Sequence, residues 1–263
     1  MSRDAAPSAD EARARIRAGL WTVPTTGLAP GFVQANLVIV PEQTAGGFEA
    51  FCGANSQALP LLDRTEPGSP VPARVAPTVD LRTDLPRYRL IRDGRLVEQV
   101  TDIVTLWHAD SVAFLLGCSL SFQHQLEQIG TRRLEPGRNV PMYITNRMTE
   151  AAGGFSGPLV VSMRPIPQDA VERLQETARG LPLTHGEPLH VGPAGALGIV
   201  DLDAPDFGEP LTVAPGEVPV FWACGVTALA AAMHSKTPWM ITHEPGHMLI
   251  TDLTLSDIEE SSS

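Results

Sequence analysis

Ser111-Val-Ala-Phe-Leu-Leu-Gly117-Cys-Ser-Leu-Ser-Phe122 is an apolar run of strand length that leads into a turn of glycine, cysteine and hydroxyl residues. Residues 219–227, Pro-Val-Phe-Trp-Ala-Cys-Gly-Val-Thr, repeat this layout. A short apolar run that ends at a turn indicates a buried strand, and a helix-forming stretch follows each turn. Residues 159–163 form a third strand candidate, and residues 168–179 have helical spacing that ends at Gly180. Strands and helices that alternate in this way predict a mixed α/β fold.

Three local signals refine this prediction. Ser8 and Glu11 have the spacing of a helix capping box, which predicts a first helix. Asp93-Gly94 stands between two strand-like runs and predicts a tight β-hairpin. Residues 60–86 are rich in proline, glycine and charge, and we expect a long ordered loop there.

The whole-chain composition favours a folded protein of the cell interior. The 263 residues are 43% hydrophobic, which is enough for one large domain or two closely packed ones. A formal net charge of −11 disfavours nucleic acid as a partner, because nucleic-acid binding depends on clustered basic residues. No stretch reaches the roughly 20 apolar residues of a membrane span, and no signal-peptide pattern begins the chain. We therefore expect a cytoplasmic protein without a membrane partner.

The residue types also limit the cofactors that this chain can use. Cys52, Cys118 and Cys224 form no CxxC pair, so neither a disulfide framework nor a structural zinc site is expected. Lys236 is the only lysine, so pyridoxal-phosphate chemistry would have to depend on it. The glycine-rich residues 153–158 lack the following Lys-Ser/Thr of a phosphate loop. We expect no cofactor and no metal.

The two strand-to-helix turns are the first candidate for chemistry. Such turns present unpaired amides, which can hold a carboxylate and lower the pKa of a thiol. Each cysteine taken alone is better interpreted as a small buried residue, but the pair of similar turns favours a site. The catalytic candidates in these turns are Cys118, Ser119, Cys224 and Thr227.

Residues 243–247, His-Glu-Pro-Gly-His, imitate the spacing of a zinc-protease motif. That motif needs a continuous helix, and Pro245-Gly246 would break it, so we reject the protease interpretation. His243 and His247 remain candidates for acid/base catalysis, because histidine titrates near neutral pH. A purely structural turn is an equally good interpretation of this segment.

Arginine can grip a carboxylate through two hydrogen bonds, and several arginines are candidates for that role. Arg138 is the first choice because an amide and a phenol follow it within one short segment. Arg82, between two aspartates, is the second choice, and Arg164 offers a further guanidinium. The substrate-binding candidates are Arg82, Arg138, Asn139, Tyr143 and Arg164.

Seven segments form a recognisable series along the chain: residues 31–37, 80–86, 117–122, 137–143, 155–165, 218–227 and 242–248. Taken together and in this order, they resemble the YcsI-type hydro-lyase family, which is related to D-glutamate cyclase. The resemblance runs from about residue 11 to residue 255. The chain departs from the family pattern at Gln123, where an acidic residue is usual, and at Ala228-Leu229, where Pro-Gln is usual.

The resemblance implies an α/β fold in which a three-layer αβα sandwich is joined to a smaller two-layer α+β subdomain. The corresponding division of residues 1–263 is roughly 1–110 plus 211–263 for one subdomain and 111–210 for the other. A D-glutamate cyclase closes D-glutamate to 5-oxo-D-proline with loss of water. The resemblance therefore implies a hydro-lyase that acts on a small carboxylate.

In the mechanism that we expect, Arg138 or Arg82 holds the carboxylate. Backbone amides at the two cysteine turns stabilise oxyanion charge, and His243 or His247 moves protons. The alternative functions are dehydration of a small hydroxy acid and non-catalytic binding of an acidic metabolite. Whether the chain forms a homo-oligomer is left open.

Overall fold

The computed structural model describes residues 6–260 and shows a mixed α/β fold built on two antiparallel sheets, as predicted. The helices are α1 (Ala9–Arg17), α2 (Glu42–Ala54), α3 (Gln123–Gln128), α4 (Val171–Arg179), α5 (Thr227–His234) and α6 (Leu255–Glu260). The strands are β1 (Phe32–Pro41), β2 (Leu61–Arg64), β3 (Tyr88–Arg92), β4 (Arg95–Val100), β5 (Ser111–Gly117), β6 (Met142–Met148), β7 (Pro158–Pro167), β8 (His190–Val191), β9 (Glu217–Ala223), β10 (Trp239–His243) and β11 (Leu249–Thr254). Among the described helices, none is long and apolar enough to cross a membrane.

The larger sheet is organised around β1. Its strand order is β2-β5-β1-β10-β3-β4, and β11 pairs with the first half of β1, beside the part that pairs with β10. Eight of the ten residues of β1 are buried, because both faces of this sheet are covered. The register places Asn36 opposite Leu116, near the carboxyl end of β5. This register brings the middle of β1 beside the first cysteine turn.

The smaller sheet has the order β6-β7-β9-β8. Ser162 of β7 lies opposite Met142 on one side and opposite Trp222 on the other. β9 therefore ends beside the middle of β7, and the backbone N–H of Cys224 donates to the carbonyl of Val160 over 3.0 Å. The second cysteine turn is fixed to this sheet by that contact.

The two sheets pack against each other. Side chains alternate along a strand, so Leu37 and Val38 of β1 enter different apolar clusters. Each of these clusters also contains residues of the smaller sheet, among them Trp222 in one and Val160 in the other. Phe48 of α2 adds an edge-on aromatic contact with the ring of β5 residue Phe114 at 5.0 Å. Because the two sheets share these clusters, their facing ends can form one site.

Several predictions from local sequence are confirmed. Ser8 and Glu11 form the reciprocal capping box at the start of α1. The hairpin of β3 and β4 turns at Asp93 and Gly94, whose φ angles of 49° and 70° suit this tight turn. The expected loop at 60–86 is wrong at its beginning, because Leu61–Arg64 pair with β5 as a strand.

Sheet membership does not follow the order of the strands along the chain. Residues 111–117 form β5 of the larger sheet. Residues 217–223 form β9 of the smaller sheet. The apolar strands at both places are as predicted, but strand pairing over long sequence separations decides which sheet they join. The division of the chain into two subdomains stays a prediction. The three-layer arrangement implied by the resemblance stays a prediction.

Candidate active site

The two cysteine turns meet at one small cavity. Cys118, which follows β5, and Cys224, which follows β9, both line it. Its volume is about 20 Å³, enough for roughly one water molecule. Two strands from different sheets thus present their carboxyl ends to a shared space. The remaining lining residues are Asn36, Ser119, Leu120, Asn139, Val140, Met142, Ser162, Val226, Gly246 and Met248.

Close backbone approaches explain the glycines of both turns. A Cβ on Gly117 would lie 1.7 Å from the carbonyl oxygen of Leu183. A Cβ on Gly225 would lie 2.4 to 2.6 Å from the amide atoms of Asn36. The Asn36 amide donates to the carbonyls of Leu116 and Gly117 at 3.3 and 2.8 Å, so it cannot easily move aside. Asn36 therefore bridges the ends of β5 and β9, and sequence patterns alone gave no sign of this role.

The two thiols of the cavity are neutral groups. Burial raises the pKa of the Cys118 thiol to about 11 and that of the Cys224 thiol to about 12. The backbone N–H of Leu120 donates to Cys118 Sγ over 3.5 Å, and the nearby Arg164 also favours the thiolate, but burial outweighs both effects. A turn of this kind can lower the pKa of a thiol, but burial raises it at both cysteines. At neutral pH these thiols carry their protons.

Arg164 is the most unusual charge in the structure. Its side chain is 3% exposed, and it has no ion pair with any carboxylate among the described residues. Nε donates to Gln123 Oε1 and Nη2 donates to Ser119 Oγ, each over 3.2 Å. The guanidinium lies 5.4 Å from the ring centre of Trp222, a favourable cation–π distance. Nη1 is buried and has no hydrogen-bond partner within residues 6–260.

Burial lowers the pKa of Arg164 to about 10, so the group keeps its charge at neutral pH. A buried charge without a partner of opposite sign costs several kcal/mol. Arg164 also lines a pocket of about 190 Å³ that adjoins the small cavity through Asn139. An anion bound in that pocket would neutralise the buried guanidinium.

The other candidate arginines are already paired. Arg138 lines the same pocket, but it is half exposed and forms ion pairs with Glu209 and with Glu135. Its Nε donates to Glu209 Oε2 over 2.6 Å. Arg82 pairs with Asp80 at 2.7 Å and lines none of the pockets around the cysteine turns. The structure brings Arg138 and Arg164 together and leaves Arg82 elsewhere.

Asn139 and Tyr143, close in sequence, have different positions. Asn139 lines both the cavity and the pocket, and its Nδ2 donates to the Pro245 carbonyl over 3.1 Å. Tyr143 follows Met142, which faces the cavity, so strand alternation turns the phenol to the opposite face. There it donates to the Leu202 carbonyl over 2.6 Å. Burial raises its pKa to about 12, and the structure does not bring it to the site.

Neither of the two candidate histidines lines the cavity. His243 lies on the face of β10 opposite Met240, and its Nδ1 is 3.3 Å from the backbone of Leu37. His247 Nδ1 contacts the Pro245 carbonyl at 3.2 Å. Burial lowers the pKa of His243 to about 4 and also lowers that of His247. Only Gly246 and Met248 of this segment line the cavity.

Glu244 holds the same turn in place. Arg89 grips it through two hydrogen bonds, one of which, from Nη2 to Oε1, spans 2.7 Å. Gln99 donates to the same carboxylate at 3.0 Å. Within the described part of the chain, no three His, Cys, Asp or Glu side chains lie close enough together to hold a metal ion.

Two hydroxyl groups near the turns differ in their freedom. Thr227 Oγ1 accepts from the backbone N–H of Val160 over 3.1 Å, which fixes the start of α5 to β7. Ser162 also lines the cavity, and its buried Oγ has no hydrogen-bond partner within residues 6–260. Ser162 was not among the site residues predicted from the sequence. Its position two residues before Arg164 on β7 places both side chains on the same face, and that alternation was the available signal.

Comparisons with known proteins agree with the resemblance seen in the sequence. The family model described as D-glutamate cyclase matches residues 112–252. Three bacterial relatives share the name "Putative hydro-lyase" and are each 53% identical to this chain. That of Bacillus licheniformis aligns over 93% of this chain and 94% of its own length. Those of Rubrobacter xylanophilus and Stutzerimonas stutzeri cover 94% and 95% of this chain, and 96% and 95% of their own. This chain belongs to the D-glutamate cyclase family.

Proposed function

We propose that this protein is a carbon–oxygen lyase that acts on a small carboxylate and closes D-glutamate to 5-oxo-D-proline with release of water. The observation that carries this proposal is the buried, unpaired guanidinium of Arg164 beside a pocket of about 190 Å³. The family name and the names of the relatives supply the reaction class. The identity of the substrate is the first part of this proposal to test.

Arg164 would bind the α-carboxylate of the substrate. A guanidinium donates only, and Arg164 has one donor group, Nη1, that nothing in the described chain uses. A carboxylate there would form a charge-assisted hydrogen bond and neutralise the buried charge. This arrangement selects an anionic ligand, because a neutral one would leave the charge unmatched.

Ring closure requires the movement of two protons. The amine nitrogen attacks the carbon of the side-chain carboxyl group, a C–N bond forms, and one carboxyl oxygen leaves as water. The two protons lost by the ammonium group leave with that oxygen, so no other reactant is needed. In this proposal a neutral thiol, Cys118 or Cys224, protonates the departing oxygen and is then reprotonated from the nitrogen. Cysteine is the only residue type with an ordinarily titratable side chain that lines the cavity.

The cavity itself suits the departing oxygen. It has the volume of about one water molecule, and Ser162 offers a hydroxyl that has no partner within the described residues. The proposal therefore places the reacting carboxyl group at the cavity and the rest of the substrate in the larger pocket. It moves proton transfer from His243 and His247 to the thiols, because neither histidine lines the cavity.

Dehydration of a small hydroxy acid is the second candidate. The same guanidinium would hold the carboxylate, and the same thiols would flank the carbon that loses its proton. The high thiol pKa values favour cyclisation over this alternative, because proton removal from carbon needs a strong base in its ionised form. Binding of an acidic metabolite without turnover is the third.

Proton NMR of the purified protein with D-glutamate, L-glutamate and a panel of small hydroxy acids separates these candidates. Formation of 5-oxo-D-proline from D-glutamate alone would support cyclisation. New olefinic signals from a hydroxy acid would support dehydration instead. Saturable binding of a carboxylate without any product would leave only the binding function.

A further inference from the structure

Gln123 forms a hydrogen bond with Arg164 and also lines both pockets beside the cysteine turns. The first pocket is the one of about 190 Å³, and the second has a volume of about 280 Å³. Gln123 stands at the first residue of α3, directly after the turn that carries Cys118 and Ser119. It is half-buried, so its amide is partly shielded from solvent and partly open to a ligand.

The contact with Arg164 determines which end of the amide faces the pockets. A guanidinium has no acceptor, so Gln123 must offer its oxygen to Arg164 Nε, at 3.2 Å. The NH2 group is then turned away from the arginine. No hydrogen bond from this NH2 group to any other described residue is present. It is a donor that remains available on the pocket side.

The groups that surround Arg164 also favour an anionic ligand, because none of those described below carries a charge. Its two hydrogen-bond acceptors are the amide oxygen of Gln123 and the hydroxyl of Ser119, both uncharged. The thiols of Cys118 and Cys224 are neutral as well. A carboxylate at position 123 would neutralise the guanidinium, whereas the amide leaves one full positive charge for a ligand.

We propose that Gln123 is a specificity-determining residue that forms, with Arg164, one receptor for the substrate's carboxylate. The Gln123 amide NH2 donates to that carboxylate, the guanidinium supplies the opposite charge beside it, and the receptor keeps a net charge of one. This inference rests on the proposed function for the identity of the substrate. It goes further by assigning the recognition of one carboxylate to two side chains. Arg164 lies on β7 of the smaller sheet, and Gln123 lies at the start of α3, after the turn that follows β5 of the larger sheet.

The Gln123→Glu variant tests the receptor with almost no change in shape. It replaces a donor by an acceptor and gives Arg164 a carboxylate inside the protein. We expect binding of 5-oxo-D-proline and of malonate, measured by calorimetry at pH 8, to weaken at least tenfold. The melting temperature should stay equal or rise, because a buried guanidinium gains a counter-charge. Unfolding therefore cannot explain the loss.

The pH dependence gives a second readout. Arg164 keeps the introduced carboxyl ionised, because a neighbouring opposite charge lowers the pKa of a carboxyl group. Binding of both anions by Gln123→Glu should therefore stay weak from pH 8 down to pH 5. Gln128→Glu is the matched control, since it adds the same charge to an exposed position of α3 and should bind both anions like the wild type.

The outcomes separate this inference from the proposed function. Equal anion binding by the wild type and Gln123→Glu at pH 8 would overturn the receptor, and so would a wild-type protein that binds neither anion. Anion binding that is lost in Gln123→Glu, without conversion of D-glutamate by the wild type, would support the receptor and overturn the cyclase function. Conversion of D-glutamate with the same kcat/KM in both proteins would support the function and overturn the role of Gln123.

Discussion

Arg164 and Ser119 connect the two sheets at the candidate site. Arg164 belongs to β7 of the smaller sheet, Ser119 follows β5 of the larger sheet, and Nη2 donates to Oγ over 3.2 Å. The serine hydroxyl therefore helps to hold the guanidinium at the wall of the pocket. A small change at Ser119 should affect substrate binding without removing the charge.

Ser119→Ala should lower kcat/KM roughly tenfold or more, because a hydrogen bond to a charged group contributes about 1.5–3 kcal/mol. KM should carry most of the effect, since Arg164 stays charged but is less firmly placed. Steady-state rates of 5-oxo-D-proline formation would measure this. Unchanged KM and kcat in Ser119→Ala would show that the contact does not position the guanidinium.

The buried thiols should resist alkylation in the native protein. With a pKa of about 11 or 12, roughly one thiol in a thousand or fewer is ionised at pH 8, and only the thiolate reacts. In the unfolded chain a cysteine has a pKa near 8.5, so about a quarter would be ionised. Iodoacetamide labelling followed by peptide mass spectrometry should show Cys118 and Cys224 reacting at least a hundredfold faster after unfolding. Comparable rates before and after unfolding would contradict the neutral thiols.

Stability should fall as the pH is lowered from about 6.5 towards 4. Burial lowers the folded-state pKa of His185 and His243 to about 4, while an unfolded histidine has a pKa near 6.5. The unfolded chain therefore binds more protons in this range. The stabilisation is present above the unfolded pKa and is lost as the pH falls, by up to about 1.4 kcal/mol per pH unit for each histidine.

Urea unfolding at several pH values would measure this slope, and His243→Gln should reduce it. His234→Gln, at an exposed histidine, is the matched control and should leave the slope unchanged. A wild-type stability that does not change between pH 7 and pH 5 would contradict the neutral buried histidines.

The approach of Gly225 to Asn36 should be sensitive to a single added methyl group. Gly225→Ala would place a Cβ within 2.4 to 2.6 Å of the Asn36 amide, and overpacking of this kind costs typically 1–3 kcal/mol. Asn36→Ala alone would lose the two hydrogen bonds to the end of β5. The double variant should lose less free energy of unfolding than the two single variants lose together, because removing the Asn36 side chain also removes the clash. Strict additivity in urea unfolding would argue against the contact.

Local sequence signals predicted the elements of the fold well, and long-range pairing defined the site. The capping box at Ser8 and the turn at Asp93-Gly94 depend on a few neighbouring residues, so the sequence alone was sufficient for them. The convergence of the two cysteine turns was also expected from their similar layout. The direction of their thiol pKa shift required the structure, because burial by the surrounding core cannot be read from a short motif.

The choice among the arginines shows why the candidate site could not be predicted from the sequence alone. Arg138 was the first choice on local grounds, yet Glu209, which is distant in sequence, pairs with it. Arg164 had no local distinction, and its significance comes from the absence of any carboxylate around it among the described residues. Both facts depend on strand pairing across the chain, which no local pattern specifies.

The role of Arg164 is tested by the rate at which Arg164→Met converts D-glutamate. Methionine fills much of the same apolar space without a charge, so the fold should be retained or stabilised, which a melting temperature would verify. Arg179→Met is the matched control, since it removes an exposed arginine that pairs with Glu187. With product followed by proton NMR, we predict 5-oxo-D-proline from the wild type and from Arg179→Met, and at least a hundredfold lower kcat/KM for Arg164→Met. Equal rates for Arg164→Met and the wild type would contradict the central claim that this guanidinium binds the substrate's carboxylate.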